Sequence, residues 1–321
     1  MERVDSTIFA QPSRASGATL VFNCSGAAVS SPTLWQRGAL RSLYWQGAPG
    51  GLASSPRPIL SHLHIALDNI GAVGGEAHQD QIGEANQDSR TGQGEFLLVK
   101  RNQIQRLATF RPIPILGHAQ QSYHPWQVTY TYLTSAFDWD DLQRAYGGID
   151  LLQFLGDRAQ QMNHLLAETA RAPWSSSCSY LCDAVAAAIG FRRRQADYRG
   201  QGGLELLNLL TPKIVSSAST NPYPLKIRLL HQQGQPIPYL EPRPMWEQLL
   251  EDLQEGEAAS SIAGRFYLGL VRGIADMVQM IGETHCINRV SLSGRLLQHP
   301  ILADRLGESL AEVGPQLTQV A

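Results

Sequence analysis

An α/β fold is what this sequence of 321 residues predicts, on three observations. Short runs with strand character alternate along the chain with longer segments of helical periodicity, the arrangement in which helices cover a sheet. Each helical segment gathers its apolar residues on one face and so has a core to face. The chain is also long enough to bury a complete core, as one large or two modest domains.

Taken in order, residues 1–17 are polar and irregular and read as a loose lead-in. Ala18 to Cys24 is mostly apolar and predicts a short strand, with a small-residue loop and a helix over Leu34 to Tyr44 after it. Gly47 to Pro58 is rich in Gly, Ser and Pro and reads as a linker, and the polar stretch Gly71 to Arg90 reads as a surface loop. Gly94 to Val99 predicts a strand whose hairpin partner lies at Ile104 to Phe110. Leu151, Leu152, Leu155, Ala159, Met162, Leu165 and Leu166 then mark one amphipathic helix from Asp150 to Glu168.

The most organised stretch runs from Pro173 to Gly190. A serine run precedes Leu181, Ala184, Val185, Ala188 and Ile189, spaced as one helix face, and Gly190 stands where the helix would end. The alanine-rich face is narrow, so another element can approach closely. Hydroxyls and free amides at such a start suit an anion, although an ordinary serine cap is the plainer reading. Further on, Leu225, Ile227 and Leu229 alternate with Lys226 and Arg228 as a half-exposed strand, and Pro236 to Pro244 reads as a proline-punctuated loop. A helix carrying Trp246, Leu249, Leu250 and Leu253 follows. Ile262, Phe266, Leu270, Ile274, Val278 and Ile281 recur on one face of a long helix, and a strand from Ile287 to Leu292 runs through Ser293 into a turn and helix.

Composition narrows the function classes. The formal net charge is −2, and no basic run stands out beyond Arg192, Arg193 and Arg194, so a nucleic-acid groove is not expected. That triplet reads as a solvated helix exit. The first ten residues are charged and lack a continuous apolar core, unlike a signal peptide, and no window suits a membrane helix. Cys24, Cys178, Cys182 and Cys286 lack zinc-ribbon spacing, which fits a reducing, cytoplasmic setting; Cys178 and Cys182 share a helix face as core residues.

Several stretches carry a family resemblance. Ser175 to Gly190 is similar to "TSSMGRLFDAVAALLG", Gly94 to Val99 to "GGEFLLV", and Arg111 to Gly117 to "RPVPLPGG". Pro125 and Trp126 fall within "GGDAAIREPWR", Tyr198 to Leu206 resembles "YEGQAAMELE", and the long helix resembles "IAARFHRGLAEAIAD". Leu292 onward resembles "LSGGVFQNRLL", and Pro58 to Asp68 resembles "PVQHHHAHIAS". These are motifs of the C-terminal, carbamoyltransferase-like half of HypF, a maturation protein of nickel-iron hydrogenases. The resemblance implies the two-lobed fold of actin, sugar kinases and heat-shock ATPases with the first lobe shortened: 18–70 a remnant of that lobe, 71–321 the second lobe with a helical insertion.

It also implies a site. The histidines of "HHHAH" that hold a metal lie four apart on a helix, and here the last falls on His64, the middle one on His62 and the first on Leu60. His62 and His64 would diverge on a helix and converge only on a strand; without the resemblance they are ordinary polar-face histidines. Asp80, with Asp88, stands in the region of the family's phosphate loop and joins the metal candidates. Ser176, Ser177, Gly94 and Gly294 are the expected cofactor contacts, and Asp183 and Ser293 the expected catalytic residues. The implied cofactors are ATP or carbamoyl adenylate and a divalent metal.

Against this, polar positions of the motifs are changed. Ser179 and Tyr180 replace a Gly-Arg pair, Ala119 an aspartate, Tyr123 and Gln127 two arginines, Arg199 a glutamate, Tyr267 a histidine and Arg295 the second glycine of a paired-glycine turn. Two readings follow. One is a carbamoyltransferase that passes its group to a partner cysteine; the other, which the changes favour, is a non-catalytic accessory that binds a hydrogenase-maturation partner. A scaffold with an unrelated role is a third.

Overall fold

The computed structural model describes residues 18–23, 33–35, 61–67, 94–100, 103–116, 123–167, 172, 174–232, 235–285, 287 and 289–317. Its strands are β1 (Ala18–Asn23), β2 (Thr33–Trp35), β3 (Ser61–Ala66), β4 (Glu95–Lys100), β5 (Gln103–Phe110), β6 (Ile113–Pro114), β7 (Trp174–Ser175), β8 (Lys226–Gln232), β9 (Gln235–Glu241) and β10 (Arg289–Gly294). Eight of them form one mixed sheet in the order β2-β1-β10-β3-β4-β5-β9-β8, and β6 and β7 pair separately. Strands on both sides of residue 70 therefore share one sheet. β3, β4 and β5 are successive antiparallel neighbours, while β10 lies parallel to β3 and antiparallel to β1.

Alternation sorts the sheet's two faces. Leu63 lies opposite Leu98 and Val290, and Ile65 opposite Phe96 and Leu292, and all six are buried. The intervening residues put His64 opposite Leu97 and Ser291, and His62 opposite Val99. One face is thus core, and the other carries a polar strip.

The helices are α1 (Pro125–Ala136), α2 (Trp139–Tyr146), α3 (Asp150–Gly156), α4 (Ala159–Ala167), α5 (Cys178–Ala188), α6 (Gln201–Leu207), α7 (Pro212–Ala218), α8 (Arg243–Glu255), α9 (Ala259–Thr284) and α10 (Pro300–Leu317), with a 3₁₀ turn over Arg295–Gln298. Every residue of α5 is buried, with α1 on one side and α6 on another. Gly190 ends it at φ +100°, as the sequence predicts. α6 comes close because Gly203 stands where a Cβ would lie 2.5 Å from the Cβ of Cys182, and Tyr267 of α9 donates to the Gly203 carbonyl at 2.5 Å. The sulfurs of Cys178 and Cys182, not joined in a disulfide, lie 3.9 Å apart in the core.

α9 is the long helix of the fold, and glycines punctuate its packed face. A Cβ on Gly264 would meet Ile214 at 2.7 Å, one on Gly269 the Tyr223 carbonyl oxygen at 2.1 Å, and one on Gly273 the Leu225 side chain at 3.0 Å. The segment after α7 therefore lies directly on the helix backbone.

Four sequence expectations change. The helix expected over 150–168 is two, α3 and α4; Gly156 and Asp157, poor helix formers, fall at the break, where Arg158 turns back to the Phe154 carbonyl (2.8 Å) and lies 3.8 Å from its ring centroid. Leu34 lies in strand β2 rather than a helix. The helix implied around His64 is strand β3. The loop expected over 236–244 is largely β9: Pro236 and Pro238 face β8, whereas the pairing with β5 is confined to Tyr239 and Leu240. Proline, lacking an N–H, is tolerated where a strand has a neighbour on one side only.

Candidate functional site

The parallel register of β3 and β10 sets His64 between two serines. Its Nδ1 lies 2.8 Å from Ser291 Oγ and its Nε2 3.0 Å from Ser293 Oγ. A neutral imidazole donates through one nitrogen and accepts through the other, and hydroxyls can take either complementary role. Neutrality is enforced: burial first, then the neighbouring His62, lowers the His64 pKa to about 4. Burial and the Arg289 charge lower His62 as well.

Among the described residues the donors for a divalent ion are incomplete. Both His64 nitrogens are already bonded to hydroxyls, and no group of three His, Cys, Asp or Glu side chains able to hold a metal occurs among the described residues. Asp80 and Asp88, expected beside the histidines, lie outside the described residues.

From Ser293 a seam of backbone hydrogen bonds leads to α5. Leu67 N–H donates to the Ser293 carbonyl and Cys178 N–H to the Leu67 carbonyl, each at 2.9 Å. Gly94, at φ +70°, presses against the same helix start: a Cβ there would lie 1.7 Å from the Ser176 carbonyl oxygen. Its own carbonyl accepts from Phe110 N–H and Thr109 Oγ1. Gly94, Ser176, Ser177, Ser293, Gly294 and His64 are thereby gathered along one line. Ser177 holds the N-cap position of α5 without capping it, and its buried hydroxyl has no hydrogen-bond partner among the described residues.

Asp183 sits apart from that line, in a corner between α5 and α6. Its Oδ2 accepts from Gly200 N–H at 2.6 Å and its Oδ1 from Gly203 N–H at 3.0 Å, so a side chain of one helix caps the next. Burial raises its pKa to about 6, with the two amides, the Tyr123 hydroxyl and Arg295 pulling the other way. Arg295 enters the corner from the turn after β10: it donates to the Arg199 carbonyl at 2.5 Å and would lie 3.1 Å from a Cβ on Gly200. Its guanidinium is 5.5 Å from the Tyr198 ring centroid, and that of Arg199 is 4.5 Å from Tyr180.

Residues 87–319 match the family model described as carbamoyltransferase, Kae1-like domain, second subdomain. The chain belongs to this family. Among curated relatives, carbamoyltransferase HypF of Rhodobacter capsulatus is 28% identical over 221 residues, 69% of this chain and 26% of that protein. Carbamoyltransferase HypF of Rhizobium leguminosarum bv. viciae is 24% identical over 245 residues, 73% of this chain and 28% of that protein. Full-length HypF in its phosphate- and nucleotide-bound crystal form shares the fold with a TM-score of 0.58 at 22% identity, covering 79% of this chain and 30% of that one. HypF of T. kodakarensis does so at 0.50 and 19%, covering 80% and 30%. The α/β class holds, and this Kae1-like chain spans between a quarter and a third of the length of these relatives.

Elsewhere, a groove of about 280 Å³ between Pro222–Leu225 and α9 is lined by Arg272 and Asp276 and holds none of the predicted residues. No helix among the described residues is long and apolar enough to cross a membrane. Sequence reasoning missed Ser291, Gly200 and Gly203. Ser291 was signalled by its spacing of two from Ser293, which matches the spacing of His62 and His64 and requires two paired strands.

Proposed function

We propose that this protein is a HypF-type accessory of nickel-iron hydrogenase maturation that keeps the Kae1-like fold without nucleotide-dependent carbamoyl transfer, and works in the cytoplasm by binding a maturation partner protein. The observation that carries this reading is Arg295. Where the family resemblance expects a second glycine and open backbone, its side chain crosses the turn to the Arg199 carbonyl and fills the corner beside Gly200. Asp183 supports it, since both carboxylate oxygens are engaged with backbone amides and neither faces a ligand alone.

A second reading, an active carbamoyltransferase using ATP or carbamoyl adenylate with a divalent ion, is favoured by the gathering of Gly94, Ser176, Ser177 and Ser293 at one seam. Thermal unfolding with and without ATP and magnesium separates the two. The accessory reading expects no shift of the melting temperature in the natural protein. A shift that disappears in Ser293→Arg or Asp183→Asn overturns it.

A further inference from the structure

Among the described residues β8 pairs with β9 alone, so one side of this outermost strand has no neighbour. Two prolines tell which backbone groups point to that side. Opposite residues of an antiparallel pair alternate between exchanging two hydrogen bonds and exchanging none, and Pro236 and Pro238, which lack an N–H, stand opposite His231 and Leu229. Those are the non-bonded pairs. Ile227, Leu229 and His231 therefore turn their N–H and C=O groups outward, away from β9. Leu240, opposite Ile227, agrees with this phase: its carbonyl accepts from Arg111 N–H at 3.2 Å, on the side away from β8. An edge with such a row of outward donors and acceptors is a template for a further strand.

We propose that the free edge of β8 receives, as an added strand, an extended segment of a partner protein in which acidic and apolar residues alternate; this rests on the partner-binding reading above and gives it a surface. From Pro222 to Leu240 the chain carries Lys226 and Arg228 and no acidic residue. Alternation places both on one face of β8, where they are exposed and form no salt bridge among the described residues. Glu241, the register partner of Lys226, is already engaged by Arg111, the Tyr239 hydroxyl and Arg243 N–H. The other face carries Ile227 and Leu229. Leu229 is 59% exposed, so apolar surface lies open beside the outward backbone groups. A strand that sets carboxylates beside Lys226 and Arg228 and apolar side chains over Leu229 satisfies both faces together.

Protection against aggregation does not by itself account for this edge. Edge strands are blunted by proline, by a bulge or by being very short, whereas β8 has seven residues, no proline and an unbroken register with β9. Lys226 and Arg228 do oppose a second copy, because two such edges would bring cations together. The same charges attract an acidic strand, and that difference is what selects the occupant.

The test titrates the full chain into two fluorescein-labelled peptides as long as β8, one alternating Glu and Val and one alternating Lys and Val, and follows fluorescence anisotropy. We expect the Glu–Val peptide to bind more tightly by about tenfold, since two cross-strand charge pairs turn from attraction to repulsion in the other. Lys226→Glu combined with Arg228→Glu reverses the preference. Leu229→Pro, which removes an outward N–H and no bond to β9, abolishes binding, and its melting temperature shows whether it has folded. Hydrogen exchange in the natural protein slows at Ile227, Leu229 and His231 when the Glu–Val peptide is bound, a readout that needs no variant. No binding, equal binding of the two peptides, protection elsewhere on the chain, Glu–Val binding unchanged in a folded Leu229→Pro, or a dimer in sedimentation that Leu229→Pro dissolves overturns the proposal. A melting-temperature shift with ATP and magnesium overturns the accessory reading while the peptide result stands, so the two failures are told apart.

Discussion

The polar strip on β3 and β10 and the corner between α5 and α6 each bury one titratable side chain, and they treat it in opposite ways. Desolvation lowers His64 to about 4 and raises Asp183 to about 6, because burial penalises whichever form is charged. The partners differ more than the shifts. Asp183 is held by amides of Gly200 and Gly203, which are fixed in the backbone; His64 is held by hydroxyls of Ser291 and Ser293, which rotate. The helix corner is therefore held by fixed backbone groups, whereas the strip is held by side chains that can turn.

Mutation should expose that difference, with the corner giving the largest effect. Asp183→Ala leaves two buried amides without an acceptor and should cost about 2–4 kcal/mol in urea unfolding. A loss below about 1 kcal/mol would mean that water or another group takes over, and that the joint is not structural.

Next in size is the pH response. A carboxyl raised above its unfolded value binds its proton more tightly when folded, so its stabilisation is complete at low pH and is lost as pH rises through about 6. An imidazole lowered below its unfolded value does the reverse, its stabilisation being complete above 6.5 and lost as pH falls through about 4. The two slopes oppose each other across that window, each worth at most about 3 kcal/mol. Stability should rise with pH between 4 and 6.5 in Asp183→Asn and fall in His64→Gln, relative to the natural protein. Parallel slopes in the two variants, from urea titrations at several pH values, would remove the basis of the comparison.

The smallest effects belong to the strip. Ser291→Ala orphans one buried imidazole nitrogen and should cost about 1–2 kcal/mol. Ser293→Ala, at the more exposed end, should cost less than about 1 kcal/mol. The reverse order would place the rigid end of the line at Ser293.

How much of this the sequence disclosed depended on the range of the interaction. α9 was legible because its six apolar residues recur at helical spacing and all are buried. α1 was not, because Val128, Thr129, Tyr130, Thr131 and Tyr132 are strand-prone. Burial against α5 and threonine hydroxyls that satisfy carbonyls of Gln127, Tyr130 and Ala184 override that preference. The Ser176–Ser177 start of α5 was readable locally. The bond from His64 to Ser291 spans 227 residues and depends on a parallel register that no local pattern encodes. Asp183 showed its presence but not its role, since its partners are glycine amides and leave no side-chain signature.

The glycines of α9 set the shape of this fold through the backbone itself. At positions 264 and 269 the architecture depends on a bare hydrogen atom, because a methyl group would collide with Ile214 or the Tyr223 carbonyl, and at 273 one would press on Leu225. The shape of the fold therefore rests there on a handful of close contacts. Any side chain added on that spine would have to push a neighbouring element away before the helix could seat.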